Sequence, residues 1–240
     1  MKIVLYEKPV KIELVENELL VNGNKHPKSV RTVDQMRKTL MMRYPEELEN
    51  FDVYYMYRDV YKQNDTRLDI TVIPFRPLGE EYPKTHGHYH PKSEDGMAYP
   101  EVYQVLNGSA LFILQKKNRN GSMDVSVVDA KAKDVVLLPP SYGHNTINNG
   151  KETLILSNLV YGRLTPLYDD YERNRGGAYY YLKGGTIAQN SNYVVERNER
   201  LSAAELNQRY DFQCTDLLTD ISENPEKFRF LKKPSLFFRK

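Results

Sequence analysis

The chain has no tryptophan and a single cysteine, Cys214. One thiol cannot close an internal disulfide, so packing and hydrogen bonds must hold the fold, and a reducing compartment is expected. No stretch approaches the ~20 consecutive apolar residues that a membrane helix needs. The amino terminus, MKIVLYEKPVKIELVENELL, lacks the long apolar core of a secretory leader. Charge of one sign is also missing: 34 basic and 32 acidic residues are interspersed, leaving a net charge of +2. Without a basic block, nucleic acid and membrane surfaces are not expected partners, although a local pocket for a small anion stays open. Repeats and low-complexity linkers are absent. A soluble, cytoplasmic protein acting on a small molecule is the expectation.

What is present is apolar content of 40% over 240 residues, enough for a sizeable core, and 19 tyrosines. Residues 1–25 read as short strands, with a turn at Asn22-Gly23-Asn24. From Ser29 to Arg43 a helix is predicted, with Val33, Met36, Leu40 and Met41 at helical spacing, and Glu46 to Glu49 extends a second short one after Pro45. From Phe51 the texture changes to β-branched and aromatic segments: DVYYMYRDVY, LDITVIPF, EVYQVLNGSALFILQKK, DVSVVDA, DVVLLPP and ETLILSNLVYG. Most are bounded by Gly, Pro, Asn or Asp, which predicts an all-β barrel or sandwich. Asn118 to Ser122 carries a hairpin signal. AYYYL (Ala178–Leu182) reads as a strand, and Ala203 to Tyr210 and Asp216 to Ile221 as short helices. Three parts follow: strands and a helix over 1–50, a barrel over 51–182, and a mixed extension over 183–240 whose apolar tail packs on the body or on a partner.

Three of the five histidines fall within Thr85-His86-Gly87-His88-Tyr89-His90. Residues two apart on a strand share a face, so His88 and His90 can point into one space; Gly87 makes a regular strand doubtful at its start. A lone pair of this kind is as well explained by a solvated His-rich turn. Downstream, Glu101 stands in PEVYQVLNG and His144 in PPSYGHNTIN. Three neutral imidazoles and one carboxylate suit a borderline divalent ion and leave positions open for water or substrate. Tyr103, two residues after Glu101, should share its face.

The pattern His-x-His, then Glu101 and Gly108, then Pro139-Pro140-Ser141-Tyr142-Gly143-His144 and Asn148, resembles the two cupin motifs. The spacer between His90 and Glu101, PKSEDGMAYP, is longer than usual and reads as a loop insertion. More closely, TVIPFRPLGEEYPKTHGHYHP, YPEVYQVLNGSALFILQ and VVLLPPSYGHNTIN resemble the cupin-type glucose-6-phosphate isomerases of archaea and some bacteria, over roughly residues 50–182. His86 departs from the lysine often found there.

The resemblance implies an all-β fold, the cupin double-stranded β-helix or jelly-roll barrel, with an N-terminal helix and a mixed C-terminal extension. It implies metal-dependent interconversion of D-glucose 6-phosphate and D-fructose 6-phosphate in glycolysis and gluconeogenesis. His88, His90, Glu101 and His144 would hold one divalent ion per chain, iron(II) ahead of Mn2+, Ni2+, Co2+ or Zn2+. Thr71, Thr85, Gly87, Tyr103 and Tyr171 would contact the sugar phosphate. Glu101 is the catalytic candidate, as a base only if substrate displaces it from the ion. Arg173 and Arg175 are explained by a charged surface loop as well as by phosphate. A homodimer is implied. Another metal cupin enzyme, a dioxygenase or a different sugar-phosphate isomerase, and a non-enzymatic sugar-binding cupin stay open.

Overall fold

The computed structural model describes residues 2–42 and 44–238; Arg43, at the end of the predicted helix, and the last two residues of the extension lie outside the described residues. Two facing sheets make a β-barrel. The larger has six strands in the order Val135–Leu138, Glu101–Asn107, Leu154–Tyr161, Thr66–Ile73, Asp52–Gln63 and Ser29–Thr32. The smaller has four: Gly143–Asn148, Ser109–Lys117, Met123–Lys131 and Val195–Ser202. Pairing is antiparallel throughout both sheets, apart from Val195–Ser202, which runs parallel to Met123–Lys131. The barrel sheets therefore draw on residues either side of the 51–182 span.

Alternation decides what faces where. On the large sheet Tyr103, Val136, Leu154 and Leu156 turn inward and pack with Phe112, Leu114 and Val128 of the small sheet. Their neighbours Val102, Leu137, Ile155 and Leu159 turn outward into a second core. That outer face is covered by an N-terminal meander (Lys2–Tyr6, Ile12–Val15, Glu18–Val21, Asn24–Lys25) and by the C-terminal helices. Both faces of the large sheet are thus buried, which is why its strands read as apolar runs rather than clean alternations.

The predicted helix from Ser29 is mostly not one. Ser29–Thr32 pairs with Asp52–Gln63 as the sheet's last strand. Only Val33–Met36, continued by the tight turn Arg37–Thr39, is helical. The β-branched Val30 and Thr32 suit the sheet edge, and Thr32 caps the helix against Gln35. Helical spacing correctly placed Val33, Met36 and Leu40 in the core; the error was its extent. The second short helix is a single turn, Pro45–Glu47.

The later elements fall close to expectation, as Tyr179–Leu182, Ala203–Arg209 and Leu217–Glu223. Asn118–Ser122 closes its hairpin through Asn118 N–H to the Ser122 carbonyl at 2.8 Å. Asn207, on helix Ala203–Arg209, donates to the Val135 carbonyl at 2.6 Å and accepts from Leu137 N–H at 3.1 Å, closing an open sheet edge. Among the described residues no helix is long and apolar enough to cross a membrane.

Candidate metal centre and pocket

Glu101 opens the strand Glu101–Asn107 and points inward with Tyr103. His144 lies on Gly143–Asn148 and pairs in register with Leu114 of the inner core. His88 and His90 are not on a regular strand. Gly87 takes φ +84°, and only His88 bridges a neighbour: its N–H and that of His144 each bond the other's carbonyl at 3.0 Å. The two motifs are thereby joined through their backbones. A Cβ at Gly87 would lie 2.3 Å from the Tyr171 ring, so glycine is required by steric contact as well as by conformation.

His88, His90, Glu101 and His144 present ligand atoms within 4.8 Å of one another. Glu101 Oε2 lies 3.3 Å from His90 Nε2 and 3.5 Å from His144 Nε2, and no hydrogen bond satisfies it. Its other oxygen accepts from Asn158 Nδ2 at 2.6 Å. His90 Nδ1 lies 2.8 Å from the Tyr99 carbonyl. A carbonyl only accepts, so Nδ1 carries the proton and the Nε2 lone pair faces the cluster. Burial, reinforced by the neighbouring imidazoles, pushes His88 well below the ordinary histidine range. Burial takes His144 down to about 3, against the opposing pull of Glu101. Both rings are therefore neutral at physiological pH. Burial would raise Glu101, but the imidazole groups packed around it outweigh burial and hold it below the usual carboxylate range. Neutral imidazoles, one ionised carboxylate and an orphaned carboxylate oxygen fit a divalent ion.

His88, His90 and Glu101 line a cavity, with His144 packed beside them. Thr71, Thr85, Gly87 and Tyr103 line it, and His86 does too. Tyr171 does not: it is fully buried behind Gly87, its ring 5.7 Å from that of Tyr89. Tyr168, one turn earlier, reaches the cavity instead. Arg173 pairs with Asp170 and Arg175 donates to the Met42 carbonyl, both away from the cavity. Sequence reasoning missed Tyr54, Arg58, Arg67, Asp69, Asn158 and Tyr168. Asn158 was readable as a polar residue inside the apolar run ETLILSNLVYG, and Asp69 stands two before Thr71 on one strand face. Tyr103 Oη lies 3.1 Å from His144 Nε2; burial and Glu101 raise its pKa well above the phenol range, so it keeps its proton.

The insertion Pro91–Pro100 folds as a small loop pinned at both ends. Lys92 bridges Ala98, and Tyr99 stacks on Tyr161 with centroids 4.9 Å apart. Asp95 accepts from the Ser235 N–H at 2.8 Å, tying the loop to the C-terminal extension.

A family model described as Glucose-6-phosphate isomerase (GPI) matches residues 30–197. The chain belongs to that family. A glucose-6-phosphate isomerase of Pyrococcus abyssi is 26% identical over 209 residues, 84% of this chain and 97% of that protein. One from Thermococcus litoralis is 27% identical over 205 residues, 82% of this chain and 94% of that protein. Among solved structures, the formate complex of Lactobacillus farciminis oxalate decarboxylase matches 45% of this chain and 29% of its own, at 22% identity and a TM-score of 0.34. The family match begins at the edge strand Ser29–Thr32 and ends inside Val195–Ser202, so it spans the barrel sheets as they stand in the structure.

Proposed function

We propose that this family member is a metal-dependent aldose–ketose isomerase interconverting D-glucose 6-phosphate and D-fructose 6-phosphate in the cytoplasm, as a homodimer, with iron(II) as its ion. The observation that carries this reading is the cluster of three imidazoles and one carboxylate, of which His88, His90 and Glu101 line a cavity whose wall also holds Thr85 and Gly87. Isomerisation moves a hydrogen between C2 and C1 of the open-chain sugar and a proton between O1 and O2. When bound, a divalent ion supplies Lewis acidity toward the sugar oxygens.

The chain's own groups supply the rest. Tyr103, a phenol held protonated beside His144, donates to a sugar oxygen. Thr71 and Thr85 offer hydroxyls and Gly87 an approachable backbone for the phosphate end. Asn158 holds Glu101 by one oxygen and leaves the other directed at the ligand histidines. In that arrangement Glu101 is a ligand first, and it serves as base only when its free oxygen turns to the substrate carbon.

A coupled isomerase assay on metal-loaded protein tests the proposal. Glucose 6-phosphate should turn over and free glucose should not. Protein purified without chelator should carry about one equivalent of metal, and His88→Ala and His144→Ala should lose most of it. Full metal occupancy in both variants, or equal turnover of the two sugars, would overturn the reading. Oxygen uptake without isomerisation would point instead to a dioxygenase.

A further inference from the structure

Behind the wall of the cavity stands a cation that the proposed chemistry has not yet used. Arg31 lies on the edge strand Ser29–Thr32, in register with Tyr54. Its guanidinium carbon sits 5.4 Å from the centre of the Tyr168 ring, and the group faces the hydroxyls of Tyr54 and Tyr168. It is half-buried, and its Nε is enclosed without a hydrogen-bond partner. No carboxylate among the described residues comes within ion-pair distance of it. A partly buried guanidinium with no anion is an unbalanced charge.

Tyr54, which Arg31 faces, adds a directional argument. Its oxygen already accepts from the His86 backbone N–H at 3.3 Å. Arg31 can only donate, so its contact with Tyr54 also falls on the phenol oxygen. With both approaches to that oxygen occupied by donors, the Tyr54 proton is left to be given away. Tyr54, Tyr168 and His86 all line the cavity, while Arg31 stands behind them. This part of the wall therefore offers hydroxyl donors backed by a fixed positive charge, adjoining Thr85 and Gly87.

We propose that Arg31 is a positioning and specificity residue. Acting through Tyr54 and Tyr168, it makes the cavity wall beside Thr85 and Gly87 selective for the dianionic phosphate of the substrate. This rests on the isomerase reading above and assigns a residue to it. The charge acts at short range in a partly desolvated place, where it is worth more than an exposed arginine. It touches neither metal ligand nor reacting carbon, so its effect belongs in substrate binding rather than in turnover.

The test is the kinetics of Arg31→Met, which keeps the apolar stem and removes the charge, beside Arg31→Lys and Arg31→Gln. KM for glucose 6-phosphate should rise about tenfold in Arg31→Met, with kcat within about twofold, the scale of one charged hydrogen-bonding group. Inhibition by inorganic phosphate should weaken by a similar factor. Arg31→Lys should recover much of both, with a steeper dependence on salt, and Arg31→Gln should behave like Arg31→Met. Should Arg31→Met fail to fold, the Lys and Gln pair decides the question. Unchanged KM and unchanged phosphate inhibition in a folded neutral variant would overturn the proposal, as would a loss confined to kcat. Neither outcome touches the isomerase reading, which is tested separately by the metal-loaded wild type on glucose 6-phosphate.

Discussion

Gly87→Ala places one methyl group where the structure leaves no room, and its cost divides into two parts. The backbone there has φ +84°, a region that costs an L-residue about 1 kcal/mol. The new Cβ would stand 2.3 Å from two carbons of the Tyr171 ring, where carbon atoms normally rest about 3.5–4 Å apart. Tyr171 is fully buried and cannot swing into solvent, so relief requires a shift of packed groups, worth roughly 1–3 kcal/mol. The sum, about 2–4 kcal/mol, should appear as a lower urea midpoint at unchanged slope. Tyr171→Leu separates the parts. Its hydroxyl has no hydrogen-bond partner, so removing it strands no bond, while loss of the ring clears the space. The double variant should be more stable than the sum of the single effects by about 1–3 kcal/mol, leaving the backbone part. Additivity within ~0.5 kcal/mol would refute the steric account. Because Gly87 stands between His86 and His88, Gly87→Ala should also lose metal faster to a chelator, and Tyr171→Leu should partly restore retention.

Glu101→Gln should keep appreciable metal, since three imidazoles hold a divalent ion unaided, yet lose ~10²–10⁴ in kcat if the carboxylate is the base. Exchange of the sugar C2 hydrogen with solvent deuterium, measured against wild type, should then cease; a metal-replete variant with wild-type kcat would leave Glu101 a ligand only. Asn158→Ala removes the donor 2.6 Å from Glu101 and should weaken metal binding by about 10–100-fold in a chelator competition; wild-type affinity would show that the carboxylate needs no such support. Metal-free protein should lose stability as pH falls below 6.5, because His144 is held near 3 in the folded state and is protonated first in the unfolded chain. From pH 7 to 5 this ring alone should remove roughly 2 kcal/mol, seen as a falling urea midpoint that His144→Phe would flatten.

How much of this was legible depended on the range of the interactions involved. The residues that cluster as His88, His90, Glu101 and His144 were readable because each is marked by neighbours a few residues away. Helical spacing over Val33–Leu40 correctly named core positions, but it could not show that Ser29–Thr32 would find a free sheet edge against Asp52–Gln63. The parallel strand Val195–Ser202 was hidden for the same reason, since its partner lies some seventy residues earlier and its sequence, VERNERLS, carries little apolar signal. Tyr171 was placed at the substrate by similarity of segment. The structure assigns the cavity to Tyr168, because Tyr171 packs into the space that Gly87 leaves empty. Arg31 depended on strand pairing, which no local pattern specifies.

The reciprocal backbone bonds between His88 and His144 bear on how the site is assembled. Two members of the proposed ligand set, from segments more than fifty residues apart, are spaced by the polypeptide itself, as rungs of one ladder. On the proposed reading the site is a preformed socket rather than a structure that the ion folds around itself, as it is in small zinc-dependent domains. The amides of these two residues should be among the slowest in the cavity wall to exchange with deuterated water once the ion is stripped. Reloading should follow the pace of ion entry, with no refolding phase. A socket fixed in this way adapts little to the size of its occupant, so swapping one divalent ion for another should alter turnover while leaving the fold and its melting cooperativity as they were.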